Sequence, residues 1–452
     1  MTGILKHRVR DSLNWVIIGY FFTHLFRLGG NLVLTRLLVP EMFGVMAIVG
    51  VIIIGLAMFS DVGLLQNIIH SKRGGDRDYL NTAWSIQVIR GFVLFFITLI
   101  ISGCLYQFGQ AGYISPEVAY GDKQLPLILA IVSITLVISG FNSIHLLVLN
   151  RKLMVKRLVA IELFSQVSGL LFIIIWAYYF HDIWALVYGR IITATLSMVA
   201  SHAIKVGGRC EFYWENGAAK EILHFGKWIF VTSFLGFLLN QGDRLILGAL
   251  IPPEVLGVYS VAFVLASAVL ALMQKLIGSI FLPALGYVAR DTPERLEEIY
   301  YKLRSRIDAI SMFSAGFIFS TARSIVDILY DARYIDAAWM LQILSISVIC
   351  TGWLLANECF VVTGKPKIVA YNSFFQVIFM YVAMPSVFYF SGLKGAIYII
   401  ALSPAFRALI SMILMKRNLF LDLRKEFVML PMLVVGLLIG EVVDGVMVGL
   451  IK

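Results

Sequence analysis

The sequence lacks the motifs that mark nucleotide-dependent and metal-dependent catalysts. It contains no G-x-x-x-x-G-K-[ST] loop, so the chain does not hydrolyse a nucleotide by itself, and it has neither an H-E-x-x-H nor a C-x-x-C motif. Its four cysteines, Cys104, Cys210, Cys350 and Cys359, are scattered and indicate neither a disulfide framework nor a metal site. We therefore expect no catalytic residue, no metal and no cofactor, and we do not expect an enzyme.

Charged residues are also scarce. Only 14% of the 452 residues are charged, whereas 60% are hydrophobic, and the mean hydropathy is +0.88. A soluble protein could not solvate such a surface, so lipid must cover most of it. The apolar runs are continuous over 20 residues or more, whereas barrel strands alternate over about ten. The sequence therefore predicts an all-α polytopic membrane protein.

Twelve segments are long and apolar enough to cross a bilayer as helices, which requires about 20 residues each. They are 14–38, 43–68, 84–106, 125–149, 158–180, 183–205, 226–250, 255–282, 306–329, 338–362, 368–390 and 394–415. A thirteenth segment, 428–451, contains Glu441 and Asp444 and is compatible with an interfacial or incomplete span. The basic N-terminus precedes a run much longer than the apolar region of a signal peptide, so we expect a retained first helix.

The basic residues are distributed unevenly between alternate loops. If the N-terminus is cytoplasmic, most loop Lys and Arg residues fall on the cytoplasmic side, and the opposite side receives little beyond Lys123, Arg333 and Lys394. This asymmetry follows the positive-inside rule and predicts both the orientation and the number of spans. The net charge of +10 is thereby explained by membrane topology, and no nucleic-acid partner is expected.

The chain resembles itself at a shift of 213 residues, which indicates an internal repeat. Pro40, Glu41, Gly44 and Val45 coincide with Pro253, Glu254, Gly257 and Val258. Six spans precede the second unit, so both halves enter the membrane in the same orientation, as parallel repeats around a central cavity. The predicted parts are an N-terminal lobe (1–206), a cytoplasmic loop (207–221), a C-terminal lobe (222–417) and an additional hydrophobic segment (418–452).

Several polar residues lie inside predicted spans, where ionisable groups are costly and mark candidate functional sites. Arg27 and Asn31 are one turn apart in the first span, and the shift of 213 places them on Asn240 and Arg244. Guanidinium groups bind phosphate oxygens in a bidentate manner, so one arginine from each lobe is expected to face a shared anion-binding cavity. Alternatively, Arg27 pairs with Asp61 or Glu162, and Arg244 with a carboxylate other than Asp243.

Other charged residues within spans extend this prediction. Four further cations are candidates for binding an anionic substrate: Arg90, Arg190, Lys275 and Arg407. Four acids are candidates for a proton or sodium site that would couple transport to an ion gradient: Asp61, Glu162, Asp243 and Glu358. The excess of buried cations over acids suits an anionic substrate and disfavours an organic cation.

The segments 34–44 and 59–64 resemble the opening hairpin of the polysaccharide transporter family. Asp243–Gly248 and the Pro253-Glu254 turn resemble that family's start to the second lobe, and 341–345 is also similar. This family contains the Wzx-type O-unit and lipopolysaccharide flippases of the MOP exporter superfamily, to which MATE exporters and lipid II flippases also belong. The resemblance covers nearly the whole chain, but many members have fourteen helices, and a complete fourteenth helix is not expected here.

The resemblance implies two six-helix lobes in a V and transport across the bacterial cytoplasmic (inner) membrane. The implied substrate is an undecaprenyl-diphosphate-linked oligosaccharide for O-antigen, exopolysaccharide or capsule. The implied partners are this lipid, the bilayer, and polymerase and chain-length proteins. Three alternatives remain open at this point: a MATE-like cation-coupled drug exporter, a lipid II-type flippase, and a membrane glycosyltransferase or polymerase. For the last class, the loop 107–124 offers only Glu117 and Asp122 as acids.

Overall fold

The computed structural model describes residues 3–61, 63–152, 154–203 and 209–451. The predicted lobe boundary at 206/207, the first residues of the predicted loop and the last two residues of the predicted span 183–205 lie outside these ranges. Within them the secondary structure is helical and contains no strand. The prediction of an all-α membrane protein is therefore confirmed.

The chain divides into two compact units. The first comprises residues 1–237 and 248–253, and the second comprises 238–247 and 254–452. One helix, α10 (Asn216–Gly248), contributes to both units. The other helices of the first unit are α1 (Gly3–Leu37), α2 (Pro40–Phe59), α3 (Leu64–His70), α4 (Arg77–Gln110), α5 (Leu125–Val132), α6 (Ile134–Gly140), α7 (His145–Arg151), α8 (Val155–Phe180) and α9 (Trp184–Ala203).

The helices of the second unit follow in chain order. They are α11 (Pro253–Leu276), α12 (Leu282–Asp291), α13 (Leu296–Leu329), α14 (Ala337–Ile349), α15 (Leu354–Val362), α16 (Pro366–Asn418), α17 (Leu423–Glu426) and α18 (Leu430–Ile451). Among the described residues, nine helical stretches are long and apolar enough to cross a membrane, or ten if the bent stretch 125–151 is included. α16 covers two predicted spans, 368–390 and 394–415, which are separated by Gly392 in a left-handed conformation (φ 63°).

The repeated Pro-Glu-x-x-Gly element begins a helix in both halves. Pro40 and Pro253 are the first residues of α2 and α11, where a missing N–H is tolerated, and Glu41 and Glu254 lie in the first turns. Gly44 packs against the backbone of Pro253, because a Cβ on Gly44 would lie 1.8 Å from the Pro253 carbonyl oxygen. Only glycine permits this approach.

Two predicted spans are broken in the structure. The span 43–68 was expected to be continuous, but α2 ends at Phe59, and α3 begins after Gly63, which has a left-handed φ of 65°. The span 125–149 was also expected to be continuous, but the chain bends by 60° between α6 and α7. At this bend the Gln87 side chain donates to the carbonyl oxygens of Gly140 and Asn142, each at 2.9 Å. The amide thus satisfies carbonyl groups that the break leaves without helical partners.

The additional hydrophobic segment forms a helix packed closely on α13. A Cβ on Gly436 of α18 would lie 2.2 Å from the carbonyl oxygen of Phe313, and one on Gly316 of α13 would lie 2.3 Å from that of Leu433. Ser324 donates a hydrogen bond of 2.5 Å to Asp444. Small residues that allow two backbones to approach closely are typical of membrane helix pairs. Asp444, one of the two acids in this segment, therefore has a hydrogen-bond donor inside the protein.

A buried ionic cluster, which sequence analysis missed, joins α13 to α17. Nε of Arg304 donates to Asp308 at 3.1 Å, and its Nη1 lies 2.7 Å from Tyr300 Oη and 2.6 Å from Glu426 Oε2. The guanidinium carbon lies 3.8 Å from the ring centroid of Trp353. The three charged side chains are at most 3% exposed. We call Arg304, Asp308 and Glu426 the Arg304 cluster.

The described part of the loop before α10 is hydrogen-bonded along the start of α4. The backbone N–H groups of Glu211, Tyr213 and Glu215 donate to the side chains of Asn81, Ser85 and Thr82, at 3.2, 3.1 and 3.1 Å respectively. Arg73 binds both carboxylate oxygens of Glu215, at 2.8 and 2.7 Å. This hydrogen-bonded guanidinium holds the pKa of the Glu215 carboxyl below its ordinary value.

Candidate functional site

The eight candidate anion-binding residues are divided equally between the two units. Those of the first unit are Arg27, Asn31, Arg90 and Arg190, and those of the second are Asn240, Arg244, Lys275 and Arg407. Each unit therefore contains one set of four predicted residues.

Arg190 on α9 lies beside α2 in the first unit. Its side chain is exposed, although it belongs to a membrane-spanning helix. Its guanidinium lies over the buried Gly50 of α2, where a Cβ would come within 3.2 Å of Nη2. No hydrogen bond or ion pair joins Arg190 to another residue in the described part of the chain. An unpaired guanidinium within a membrane-spanning helix is expensive unless water or an anionic ligand solvates it.

Arg90 on α4, by contrast, uses its donors within the protein. Nε donates to the Ser60 hydroxyl at 2.8 Å, and Nη2 donates to the carbonyl oxygen of Ala57 at 2.5 Å. Arg90 therefore binds the C-terminal end of α2, where helix carbonyl groups lack partners and the helix dipole favours a cation. It also lines a cavity of about 260 Å³ together with Gln87 and Asn142.

The polar residues of α1 lie one turn apart, as predicted from their spacing. Arg27 is exposed and Asn31 is half-buried. The rings of Tyr20 and His24 are 4.1 Å apart on the same helix. α1 thus presents aromatic and cationic side chains in successive turns.

In the second unit, Arg244 and Asp243 point to different partners. Nη1 of Arg244 donates to Gln241 at 3.1 Å, and its guanidinium carbon lies 4.3 Å from the ring centroid of Phe263. Asp243 is buried and accepts a hydrogen bond of 2.5 Å from the Tyr259 hydroxyl. Adjacent residues on a helix do not face each other, which explains why Asp243 does not neutralise Arg244.

A cavity of about 200 Å³ lies entirely within the second unit. Its polar lining includes Asn240, Asp243, Asn357, Gln376, Ser403 and Arg407. Two of the lining residues each carry a buried atom that has no hydrogen-bond partner in the described part of the chain, Arg407 Nε and Gln376 Oε1. Its apolar wall includes Trp353 and Phe263. We call this space the second-unit cavity. Of the predicted binding residues it unites Asn240 and Arg407, but its lining does not include Arg244 or Lys275, which lies in the last turn of α11.

The four candidate coupling acids have different surroundings. Asp61 follows α2 and accepts a hydrogen bond of 2.9 Å from the Gly63 N–H. Glu162 is exposed on α8 and accepts from Gln166 at 3.1 Å. Glu358 is half-buried on α15 and interacts electrostatically with Arg407. Asp243 lines the second-unit cavity. Within the described residues, no group of three or more His, Cys, Asp or Glu side chains is arranged to bind a metal ion.

Sequence reasoning missed the Arg304 cluster and the polar lining of the second-unit cavity. The i, i+4 spacing of Arg304 and Asp308 signals an ion pair. Nothing in the spacing indicates that Glu426, more than a hundred residues later, completes it. The cavity is likewise assembled from residues on α10, α11, α14, α15 and α16 and has no local signature.

Comparison with known proteins identifies the family. The model of the family described as "Polysaccharide biosynthesis protein" matches residues 33–339. The chain belongs to this family. The resemblance to polysaccharide transporters is thereby confirmed.

Two curated proteins are similar to this member of the polysaccharide biosynthesis protein family. An "Uncharacterized membrane protein in cps region" of Klebsiella pneumoniae is 22% identical over 347 residues, which cover 76% of this chain and 67% of the relative. "Lipopolysaccharide biosynthesis protein WzxC" of Escherichia coli strain K12 is 21% identical over 316 residues, covering 70% and 61%. The match thus spans about two thirds of the length of these relatives.

Solved structures establish the fold of this family member. Lipid II flippase MurJ in an inward closed conformation aligns with a TM-score of 0.70 and 12% identity, over 96% of this chain and 98% of MurJ. A multidrug resistance MATE family transporter of the MOP superfamily, in an inward-facing conformation, aligns with a TM-score of 0.63 and 15% identity, over 87% and 94%. The protein is thus a multi-pass membrane protein with the fold that these transporters share.

Proposed function

We propose that this protein is a flippase that moves an undecaprenyl-diphosphate-linked oligosaccharide from the cytoplasmic to the outer leaflet of a bacterial inner membrane. The transported lipid would supply the assembly of a surface polysaccharide. Membership of the polysaccharide biosynthesis protein family supports this substrate class, and the fold shared with MurJ and MATE supports a transporter. The polysaccharide polymerase and chain-length proteins are the proposed partners, and the N-terminus is proposed to be cytoplasmic.

The observation that carries the proposal is the unpaired Arg190 in a membrane-spanning helix. Its five N–H donors have no partner in the described part of the chain. A diphosphate offers oxygens that match a guanidinium fork, so Arg190 is the strongest candidate among the eight predicted residues. Arg27 with Asn31, and Arg244, remain proposed contacts to the diphosphate, whereas Asn240 and Arg407 line the second-unit cavity. Arg90 is a weaker candidate because its donors bind the end of α2.

We propose alternating access between the two predicted lobes as the mechanism, driven by an ion or substrate gradient. Asp61, Glu162, Asp243 and Glu358 remain the candidates for a coupling ion. A drug exporter for organic cations is disfavoured by the unpaired cation at Arg190, because such a substrate requires negative charge in its site.

The test is complementation of a bacterium that lacks its own flippase, with surface polysaccharide as the measurement. Loss of one charge-assisted hydrogen-bonding group costs roughly 1.5–3 kcal/mol, which corresponds to a loss of substrate affinity of about 10- to 150-fold. We therefore expect Arg190→Ala to lower the amount of surface polysaccharide. Arg190→Lys keeps the charge but loses the planar fork, and an intermediate effect is expected. Arg157→Ala, at an exposed position in the first turn of α8, is the matched control. Normal export by Arg190→Ala and by the double variant Arg27→Ala/Arg244→Ala would refute the proposed diphosphate site.

A further inference from the structure

We infer that the second-unit cavity is a sugar-binding subsite, which holds a sugar residue of the glycan while the diphosphate is bound by arginines elsewhere. This inference rests on the proposed function and adds to it a place for the uncharged part of the substrate. It concerns the second unit alone, because every residue that lines the cavity belongs to that unit.

The lining of the cavity has no net charge, which suits a neutral ligand. The charged residues among those that line the cavity are one acid, Asp243, and one base, Arg407. Tyr259 already donates a hydrogen bond to Asp243. The two charges are of opposite sign, so the lining as a whole favours an ion of neither sign. A neutral polar molecule can hydrogen-bond to either group.

Two buried side-chain atoms without hydrogen-bond partners indicate which polar group a ligand would supply. Gln376 Oε1 is a buried acceptor and Arg407 Nε a buried donor, and neither has a hydrogen-bond partner among the residues that the structure describes. Buried polar atoms without partners are rare in native structures and point to a bound molecule that supplies them. A hydroxyl group both donates and accepts, so one type of ligand group satisfies both atoms. The Gln376 side chain is held in place by its own hydrogen bond of 3.0 Å to Ser403.

The shape and the apolar wall agree with a sugar ring. The volume of about 200 Å³ is smaller than the ~300–1,000 Å³ of pockets that enclose drug-sized ligands, which agrees with one sugar residue rather than an oligosaccharide. Trp353 and Phe263 provide aromatic surface beside the hydrogen-bonding groups. A sugar presents hydroxyl groups at its edge and C–H groups on its faces, so this combination complements it on both counts. We therefore expect only one residue of the glycan to enter.

The test compares two probes on the purified full-length protein. One probe is undecaprenyl diphosphate without sugar, and the other is the undecaprenyl-diphosphate-linked glycan extracted from the bacterium that makes the protein. We expect the glycan-bearing lipid to bind about tenfold more tightly, which is about 1.4 kcal/mol. Gln376→Leu removes the orphaned acceptor and is expected to abolish this preference without changing the affinity for the bare lipid.

Two further variants keep the test decisive. Ala266 is buried and lines the cavity, so Ala266→Leu occupies part of its volume while every polar group stays; it too should abolish the preference, even if Gln376→Leu folds poorly. Gln342→Leu makes the same chemical change on α14, outside the lining, and should preserve it. A preference that persists in both cavity variants, or that is absent from the unaltered protein, would overturn the inference while leaving the arginine site intact. Failure of the unaltered protein to bind either probe would instead refute the proposed function.

Discussion

Replacing Arg304 by methionine should destabilise the second unit more than any exposed charge substitution. Methionine retains much of the side-chain volume but removes the only cation of the Arg304 cluster, so Asp308 and Glu426 are left buried without a counter-charge. Breaking a buried ion pair by removing one partner costs about 3–5 kcal/mol. The lost contact with Trp353 adds about 0.5–2 kcal/mol.

The matched control is Arg295→Met. Arg295 forms an ion pair with Glu298 at 3.3 Å, but both side chains are 62% exposed, and exposed pairs contribute only about 0–1 kcal/mol. Glu426→Gln provides a second comparison. It leaves Arg304 paired one-to-one with Asp308, so we expect a much smaller loss than for Arg304→Met.

Thermal unfolding in detergent, followed with a thiol-reactive fluorogenic dye, measures these differences. Cys359 is fully buried and packs in the same core as Trp353 and Tyr300, so it reacts only after the second unit opens. Cys104, Cys210 and Cys350 are more accessible and should be replaced by serine in every variant. Equal unfolding midpoints for Arg304→Met and Arg295→Met would refute the reasoning, as would a greater loss for Glu426→Gln than for Arg304→Met.

Three further predictions concern close packing of helices and the loop before α10. Gly50→Leu should displace the Arg190 guanidinium, because even a Cβ at this position would lie 3.2 Å from Nη2. The variant should therefore reduce surface polysaccharide in the complementation assay. A normal level would show that the contact between Gly50 and Arg190 is unimportant. Gly436→Leu should separate α18 from α13 and lower the free energy of unfolding by about 1–3 kcal/mol, which is measured as a lower unfolding midpoint. Gly445→Leu, at a position where a Cβ meets nothing within 4 Å, should leave the midpoint unchanged. Arg73 lowers the pKa of the Glu215 carboxyl in the folded protein. The ion pair therefore stabilises the loop before α10 at any pH above the ordinary glutamate pKa of about 4.3. This stabilisation is lost as the pH falls through the lower pKa of the folded state. Limited proteolysis of the loop should accelerate over that acidic range, and Glu215→Gln should remove the acceleration.

Much of the fold follows from hydropathy because lipid imposes a simple rule: a spanning helix satisfies its own backbone. The predicted separation of 368–390 from 394–415 agrees with the left-handed Gly392. The breaks at Gly63 and after Gly140 were not predicted, because they occur inside apolar runs and depend on distant partners. Gln87, for example, binds carbonyl groups more than 50 residues away along the chain.

The sequence predicts which residue types the candidate site contains, but it does not predict how they are arranged. Spacing alone correctly separated Asp243 from Arg244, since adjacent helical residues diverge. Spacing could not distinguish Arg90, which binds the end of α2, from Arg190, which has no partner among the described residues. Both appear in the sequence as an arginine within an apolar run, and only the packing of other helices around them decides which one is available to a ligand.

The Arg304 cluster also constrains how the protein is made. Glu426 leaves the ribosome ~120 residues after Arg304, a delay of roughly 6 to 24 seconds at ordinary synthesis rates. During that interval α13 has Asp308 but neither Glu426 nor the backbone of α18 against it. The second unit therefore finishes assembling only when the last helices have been synthesised, and a chain released before Glu426 would present an incomplete ionic cluster and an uncovered face of α13 to quality-control proteases.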